Sequence, residues 1–303
     1  MSEKRLAAVI PTLGRSPHLA ACLRALRAGA EPIEIVVVDQ AERPVALPEG
    51  LADGVLRPRR NLGFAAGTNL GIAATRAPYV ATVNDDALVE PDWAARLGAA
   101  LDGDPGLAAV QGTNLRLDRP DLLDGCGIAW NRDLQAVQIG TGEPAPDPPG
   151  PGREIWGVSA TAALYRRSAL DSAALAPGRF FDPDLGSYYE DVDLAGRLRA
   201  MGFRAGWVPS ARARHAGSTT AGAARWRLVY GNRHLALARL LGGGYWARLP
   251  RLLFRDLEDL ARSLLAAEGA RSVGIPAGWM RAAIRLPRFA RRGRALAAIE
   301  PDG

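Results

Sequence analysis

The sequence predicts an α/β fold: a mostly parallel central sheet followed by a helical C-terminal region. Three observations carry this expectation. Short β-branched runs alternate with segments of helical period in the first third, and polar residues recur where those runs end. From Arg225 onward the pattern is helical and amphipathic.

Taken in order, Leu6 to Ile10 reads as a buried strand. Pro17 to Arg27 has helical spacing, with Ser16 as candidate N-cap and proline at the first helical position. Ile33 to Asp39 is a β-branched strand, the segment after Asn61 a helix ending near Ala77-Pro78, and Tyr79 to Val83 a third strand. That β-α-β-α-β order calls for parallel pairing with right-handed crossovers, and such sheets bind ligands at the carboxyl ends of their strands. Thr12, Asp39, and Asp85 with Asp86 fall at three such ends. The proline- and glycine-rich stretch from Glu143 to Gly152 must be a loop, after which Glu154 to Tyr165 reads as strand. In the last third, Leu249, Leu252, Leu253, Leu257, Leu260 and Leu264 share one helix side, with Arg251, Arg255 and Arg262 interspersed. The expected division is a catalytic domain over 1–222 and a basic, mainly helical region over 223–303.

Composition narrows the class. Hydrophobic residues at 48% and charged residues at 23% of 303 describe a chain with a sizeable core, against a largely disordered one. Cys22 and Cys126 have no metal-binding spacing and are too few to staple this length, so a reducing cytoplasmic setting is expected. Arginines interrupt every long apolar run, and the start lacks the features of a secretory signal. Lys4 is the sole lysine and lies in no GxxxxGK[ST] element, which excludes a Walker-type phosphate loop. Residues 1–222 carry 23 basic and 26 acidic side chains, whereas residues 223–303 carry 15 and 6. A basic tail on a near-neutral body points to an anionic partner.

Several residues are fit for chemistry. Asp85 and Asp86 place carboxylates at the mouth of a parallel sheet, where they can hold a hard divalent cation against phosphates; taken alone, Asn-Asp-Asp is also good turn chemistry. Glu190, Asp191 and Asp193 fall in the first turn of an expected helix, more acid than a cap requires. His215 lies in a polar context and offers a nitrogen ligand to a metal that already has carboxylates; an exposed surface histidine is the plain alternative. Asn61 to Gly71 spaces its glycines by four, which fails as a dinucleotide fingerprint but permits close helix packing, with Asn61, Gly63 and Asn69 placed to border a ligand.

Pro11-Thr12, Val38-Asp39, Asn61-Leu-Gly-Phe-Ala-Ala-Gly-Thr-Asn69, Asn84-Asp-Asp86, Glu190-Asp-Val-Asp193 and His215 occur in the order seen in inverting glycosyltransferases of family 2, which have the GT-A fold. The chain resembles that family over roughly 5–240, and within it the rhamnosyltransferase-like branch, whose members extend bacterial surface polysaccharides. The acidic motif is Asn-Asp-Asp where many relatives have Asp-x-Asp, which makes Asp86 the metal ligand of choice. The resemblance implies that Pro11, Thr12, Asn61 and Gly63 line the nucleotide pocket. It implies that Asp39 accepts a hydrogen bond from the nucleobase imide and that Asp85 faces the ribose or diphosphate. Asp86 and His215 would hold Mn2+ or Mg2+ on the diphosphate. Asp191, with Glu190 beside it, would be the general base, and Trp156 would border the acceptor, although a core tryptophan fits its context equally well. The implied donor is a dTDP-, UDP- or GDP-linked sugar and the implied acceptor a glycan or polyprenyl-linked hydroxyl.

Two rivals are weighed against this. A sugar nucleotidyltransferase would need a glycine-rich N-terminal loop followed by Arg or Lys to grip a triphosphate, and none is found. A non-catalytic nucleotide- or membrane-binding protein would not need the full set of Asp86, Asp191 and His215. In the tail, Trp279 to Arg294 alternates apolar residues with arginines, which suits peripheral attachment at the anionic inner face of a cell membrane. A helix packed on the catalytic domain and interrupted at Pro287 and Gly293 suits it too. Aromatic residues are sparse among these arginines, so no nucleic-acid partner is expected.

Overall fold

The computed structural model describes residues 4–217 and 222–292. β1 (Leu6–Thr12) is buried throughout, and α1 (Leu19–Arg27) returns the chain so that β2 (Ile33–Asp39) lies parallel to it, with Leu6 opposite Ile33 and Thr12 opposite Asp39. β3 (Gly54–Leu56) extends that edge, and α2 (Phe64–Ala74) crosses to β4 (Tyr79–Val83), parallel to β1 on its other side. These four strands form the parallel half of the sheet.

The chain continues through β5 (Ala87–Val89), α3 (Trp93–Gly103), β6 (Leu107–Arg116) and β7 (Leu123–Gly125), and then a separate hairpin of β8 (Ile128–Trp130) and β9 (Ala136–Gln138). β10 (Arg153–Ile155), β11 (Ala162–Arg166), α4 (Arg167–Ser172), α5 (Glu190–Ala200) and β12 (Arg204–His215) follow, and α6 (Gly222–Leu241), α7 (Gly244–Leu265) and α8 (Gly269–Arg292) close the chain. The sheet runs β10-β12-β6-β11-β4-β1-β2-β3. β11 is antiparallel to both neighbours, while β12 and β6 are parallel.

Strands buried on both faces read as continuous apolar runs, and the period of two divides each run between two layers. Leu6, Ala8 and Ile10 pack toward α1 and α3, whereas Val9 and Val38 pack toward α2 and α5. The four-residue glycine spacing in α2 has the packing role its sequence predicts. A Cβ on Gly71 would come within 2.2 Å of Val9 and one on Gly67 within 2.5 Å of Gln40.

Four expectations are corrected. α1 starts at Leu19, because Ser16 is spent on a turn: its hydroxyl accepts the His18 N–H at 3.1 Å and donates to the Asp85 carbonyl at 3.2 Å. α2 stops at Ala74, ahead of Thr75 in extended conformation. Glu154 to Tyr165 is not one strand, since β10 pairs with β12 and β11 with β4 and β6, and the turn between them swings Ser159 to Thr161 toward the site. Finally, α8 passes through Pro276 and Pro287 without ending; Gly293 and Arg294 lie outside the described residues. No helix among the described residues is long and apolar enough to cross a membrane.

Candidate active site

A cavity of about 530 Å³ opens where β1 and β4 end. Pro11 and Thr12 line it from β1, and Asn61 and Gly63 line it ahead of α2. Asn84, Asp85 and Asp86 line it after β4, Glu190 and Asp191 from α5, and His215 from the end of β12. Thr12 donates its hydroxyl proton to Asp85 at 2.5 Å. Burial raises the pKa of Asp85, and the neighbouring charge of Asp86 adds to the rise.

Asp86 and His215 meet through Oδ1 and Nε2 at 3.1 Å, and His215 Nδ1 lies 2.9 Å from Asp124 Oδ2. Burial alone would lower the imidazole pKa, but the two flanking carboxylates outweigh it and hold it at about 9. The arrangement fits a divalent ion. Two donors at right angles and about 2.1 Å from one metal stand about 3 Å apart, and a carboxylate on the far ring nitrogen is the usual device for orienting a ligating histidine. Among the described residues no three His, Cys, Asp or Glu side chains converge as a ready metal cage. Such an ion would draw its remaining ligands from water and substrate phosphates. Asp124, on β7, has no motif around it, and only the pairing of β7 with β6 reveals its role.

The carboxylates of α5 divide their labour. Asp191 is half-buried and accepts the Ala160 N–H at 3.3 Å and the Val192 N–H at 2.8 Å, with its pKa raised by burial. Glu190 is buried, its Oε2 has no hydrogen-bond partner among the described residues, and its pKa is raised well above the ordinary range by burial and by the charge of Asp191. Asp193 points away, fully buried between Arg197 at 3.0 Å and Arg239 at 2.5 Å. Arg239 also binds Asp182 at 2.5 Å, so α6 is bolted to α5 through charge.

The turn into α5 is unusual. Tyr188 and Tyr189 both have positive φ, 67° and 68°, a conformation that side chains disfavour and that persists only where the surroundings enforce it. Asn232 of α6 enforces it, its Nδ2 donating to the carbonyls of Leu185, Ser187 and Tyr188 at 2.8, 2.9 and 2.8 Å. Arg281 of α8 donates to the Asn232 Oδ1 at 3.0 Å. Arg225 and Trp226 of α6, together with Arg15, complete the cavity wall.

Three expected site residues stand elsewhere. Asp39 is buried outside the lining, its carboxylate taken by the N–H groups of Ala41 and Val45, both at 3.0 Å, and by Arg57. Trp156 is half-buried and packs edge-on against Trp130 at 5.2 Å at the margin of a core cluster, outside the main cavity. Asn69 is buried and binds the backbone of Phe180 and Phe181, which makes it a structural clamp.

The family model for glycosyl transferase family 2 matches residues 7–172. The uncharacterized protein y4gI of Sinorhizobium fredii is 28% identical over 232 residues, which cover 66% of this chain but 24% of that protein, so the chain spans about a quarter of its relative. Among solved structures, GalNAc-T7 with UDP, GalNAc and Mn2+ superposes with a TM-score of 0.62 at 14% identity, over 79% of this chain and 48% of that one. The mannosyltransferase PcManGT of Pyrobaculum calidifontis, in complex with GDP-Man and Mn2+, gives 0.51 at 19% identity over 96% and 76%. TarS of S. aureus, residues 1–349, gives 0.52 at 15% over 92% and 90%. These likenesses show a GT-A fold, and since the family match takes in more than half of the sequence, the chain belongs to glycosyl transferase family 2.

Proposed function

We propose that the chain is a metal-dependent inverting glycosyltransferase that moves a hexosyl or deoxyhexosyl group, rhamnosyl included, from a dTDP-, UDP- or GDP-sugar to a hydroxyl of a glycan or polyprenyl-linked acceptor, as in bacterial surface polysaccharide assembly. The observation that carries this reading is the meeting, in one cavity, of the Asp86–His215 pair with a separate carboxylate, Asp191, whose pKa is raised. Mn2+ in GalNAc-T7 and PcManGT supports divalent metal use here. Asp86 and His215 would hold Mn2+ or Mg2+, which would supply positive charge against the departing diphosphate.

The chain's own groups do the rest. Pro11, Thr12, Asn61 and Gly63 border the nucleotide, and Asp85, beside Thr12, faces the ribose or diphosphate. Asp39, already engaged by Arg57, shapes the base end of the cleft through the loop it anchors. Asp191 takes the proton of the acceptor hydroxyl while the hydroxyl's own oxygen bonds to the anomeric carbon and the bond from that carbon to the diphosphate oxygen breaks, a single displacement that inverts the centre. Glu190 beside it keeps the pair's proton affinity high. α6 supplies cavity wall and holds the turn before Asp191, so the body and the C-terminal helices act as one catalytic unit.

The test is nucleoside diphosphate release from a panel of dTDP-, UDP- and GDP-sugars with Mn2+ or Mg2+. Metal-dependent release that Asp191→Asn abolishes supports the reading. Release of pyrophosphate from a nucleoside triphosphate and a sugar 1-phosphate would replace it with nucleotidyl transfer.

A further inference from the structure

The last two helices expose an apolar surface that the catalytic site does not use. On α7, Trp246, Leu253, Leu257 and Leu264 are all exposed, and their spacing by seven, four and seven residues puts them on one face, with Phe254 beside them. The leucine side expected from the sequence is thus split: Leu252 is buried and its neighbours face outward. On α8, Val273, Met280 and Ile284 are exposed at 62%, 66% and 78% and follow one another by seven and four. The helices are antiparallel neighbours, joined by Ser263 to Ser272 at 3.1 Å and by Trp279 Nε1 to Asp256 at 2.9 Å. Exposed apolar surface on this scale marks an interaction site.

Charge selects the occupant. The acids of α7 are tied up within the protein. Asp256 is fully buried against Arg233 at 2.6 Å and His234 at 2.9 Å, Asp259 accepts from Tyr230 at 2.7 Å, and Glu258 pairs with Arg255 at 2.6 Å. Arg248, Arg251 and Arg262 stand exposed on the polar side of the same helix; Arg251 reaches Asp133 at 3.9 Å and Arg262 reaches Asp259 at 3.6 Å, yet 65% and 70% of their side chains remain in solvent. A second copy of this chain, docked about a twofold axis, would bring this arginine-bearing surface against the same surface of its partner. Anionic lipid headgroups neutralise the arginines while acyl chains receive the apolar face.

We propose that α7 and α8 lie in the interface of an anionic bilayer, their apolar faces sunk about 5–10 Å and the arginines at phosphate level. The opposite side of α8 packs on α6, where the guanidinium of Arg271 lies 4.9 Å from the ring centroid of Trp226, a residue of the cavity wall.

The experiment sediments the full chain with phosphatidylglycerol/phosphatidylcholine vesicles and with phosphatidylcholine alone. Binding to the anionic vesicles is expected, weakening as salt rises. The triple variant Phe254→Ser, Leu257→Ser, Ile284→Ser should lower the partition coefficient by about tenfold or more, and Arg251→Glu with Arg262→Glu should lower it similarly. Mn2+-dependent nucleoside diphosphate binding, measured on each variant, should match wild type; this verifies folding and separates failure of the surface from failure of the site. Absence of binding to anionic vesicles at low salt overturns the proposal, as does binding indifferent to the triple variant. A dimer in light scattering that the triple variant dissolves, without vesicle binding, assigns the surface to a second copy.

Discussion

Asp191 is half-buried in the cavity wall with its pKa raised by burial, the condition under which a carboxylate becomes a useful base near neutral pH. Asp191→Asn keeps the shape and removes the proton acceptor, so turnover should fall by roughly two or more orders of magnitude with nucleotide affinity retained. An equal loss of affinity in titration would move Asp191 into the binding role. Since burial raises both Glu190 and Asp191, the protonated pair persists to higher pH than ordinary carboxylates, and turnover should rise with pH through an apparent pKa above the usual aspartate range. A limb at or below that range would place the base elsewhere. Asp124→Ala should weaken metal-dependent nucleotide binding by about ten- to a hundredfold by freeing the His215 ring, with Asp124→Asn recovering part of it. At this scale the sequence displayed Asp86, Asp191 and His215, because order along the chain and residue type were enough. Asp124 was hidden, because only strand pairing brings it to the histidine. Asp39 and Asn69 sit in surroundings that no local pattern displays: Asp39 accepts from the amides of Ala41 and Val45 and from Arg57, and Asn69 binds the backbone of Phe180 and Phe181.

α5 is positioned by elements far from it in the chain. Arg239 spans the buried Asp182 and Asp193, and removing it takes from the core the cation these two carboxylates share, with Arg197 still at Asp193. Arg239→Leu should cost about 3–5 kcal/mol in denaturant unfolding, far more than any surface arginine, and a loss below 1 kcal/mol would contradict the network. Asn232→Ala releases the three carbonyls that hold Tyr188 and Tyr189 in left-handed conformation. Its expected signature is a lowered kcat with nucleotide KM little changed, because the turn feeds Asp191 and not the diphosphate pair. β2 and β4 are legible in the sequence to their last residues, Asp39 and Val83, since a β-branched run bounded by proline or polar residues leaves little freedom. The break between β10 and β11 is not legible, because an apolar stretch does not say which strands it will pair with. The same limit applies to α6: helical period shows that a face is buried, and only the fold shows that Asn232 and Arg239 face α5 from it.

For the molecule as a whole, basic composition and helical pattern suggest a tail appended to a catalytic body. The packing makes α6 part of the site, and α8 lies against α6 with the Gly278 carbonyl 2.9 Å from where a Cβ on Gly231 would stand. A chain ended at residue 217 should therefore fail to unfold cooperatively and fail to bind nucleotide, as seen by calorimetry and titration. The parallel half of the sheet and the mouth of the site were legible because strand ends concentrate polar residues. The contribution of the C-terminal helices was not, because it depends on buried ion pairs that no local pattern announces. The claim that binds these parts is that Asp86 and His215 hold a divalent ion on a nucleoside diphosphate. Calorimetric titration of UDP, dTDP and GDP into the full chain, with and without Mn2+, tests it most directly. The expected result is binding of at least one diphosphate that requires Mn2+ and disappears in Asp86→Ala and His215→Ala, while Asp191→Asn binds like wild type. Binding of equal strength without metal, or unchanged by those two substitutions, would contradict it.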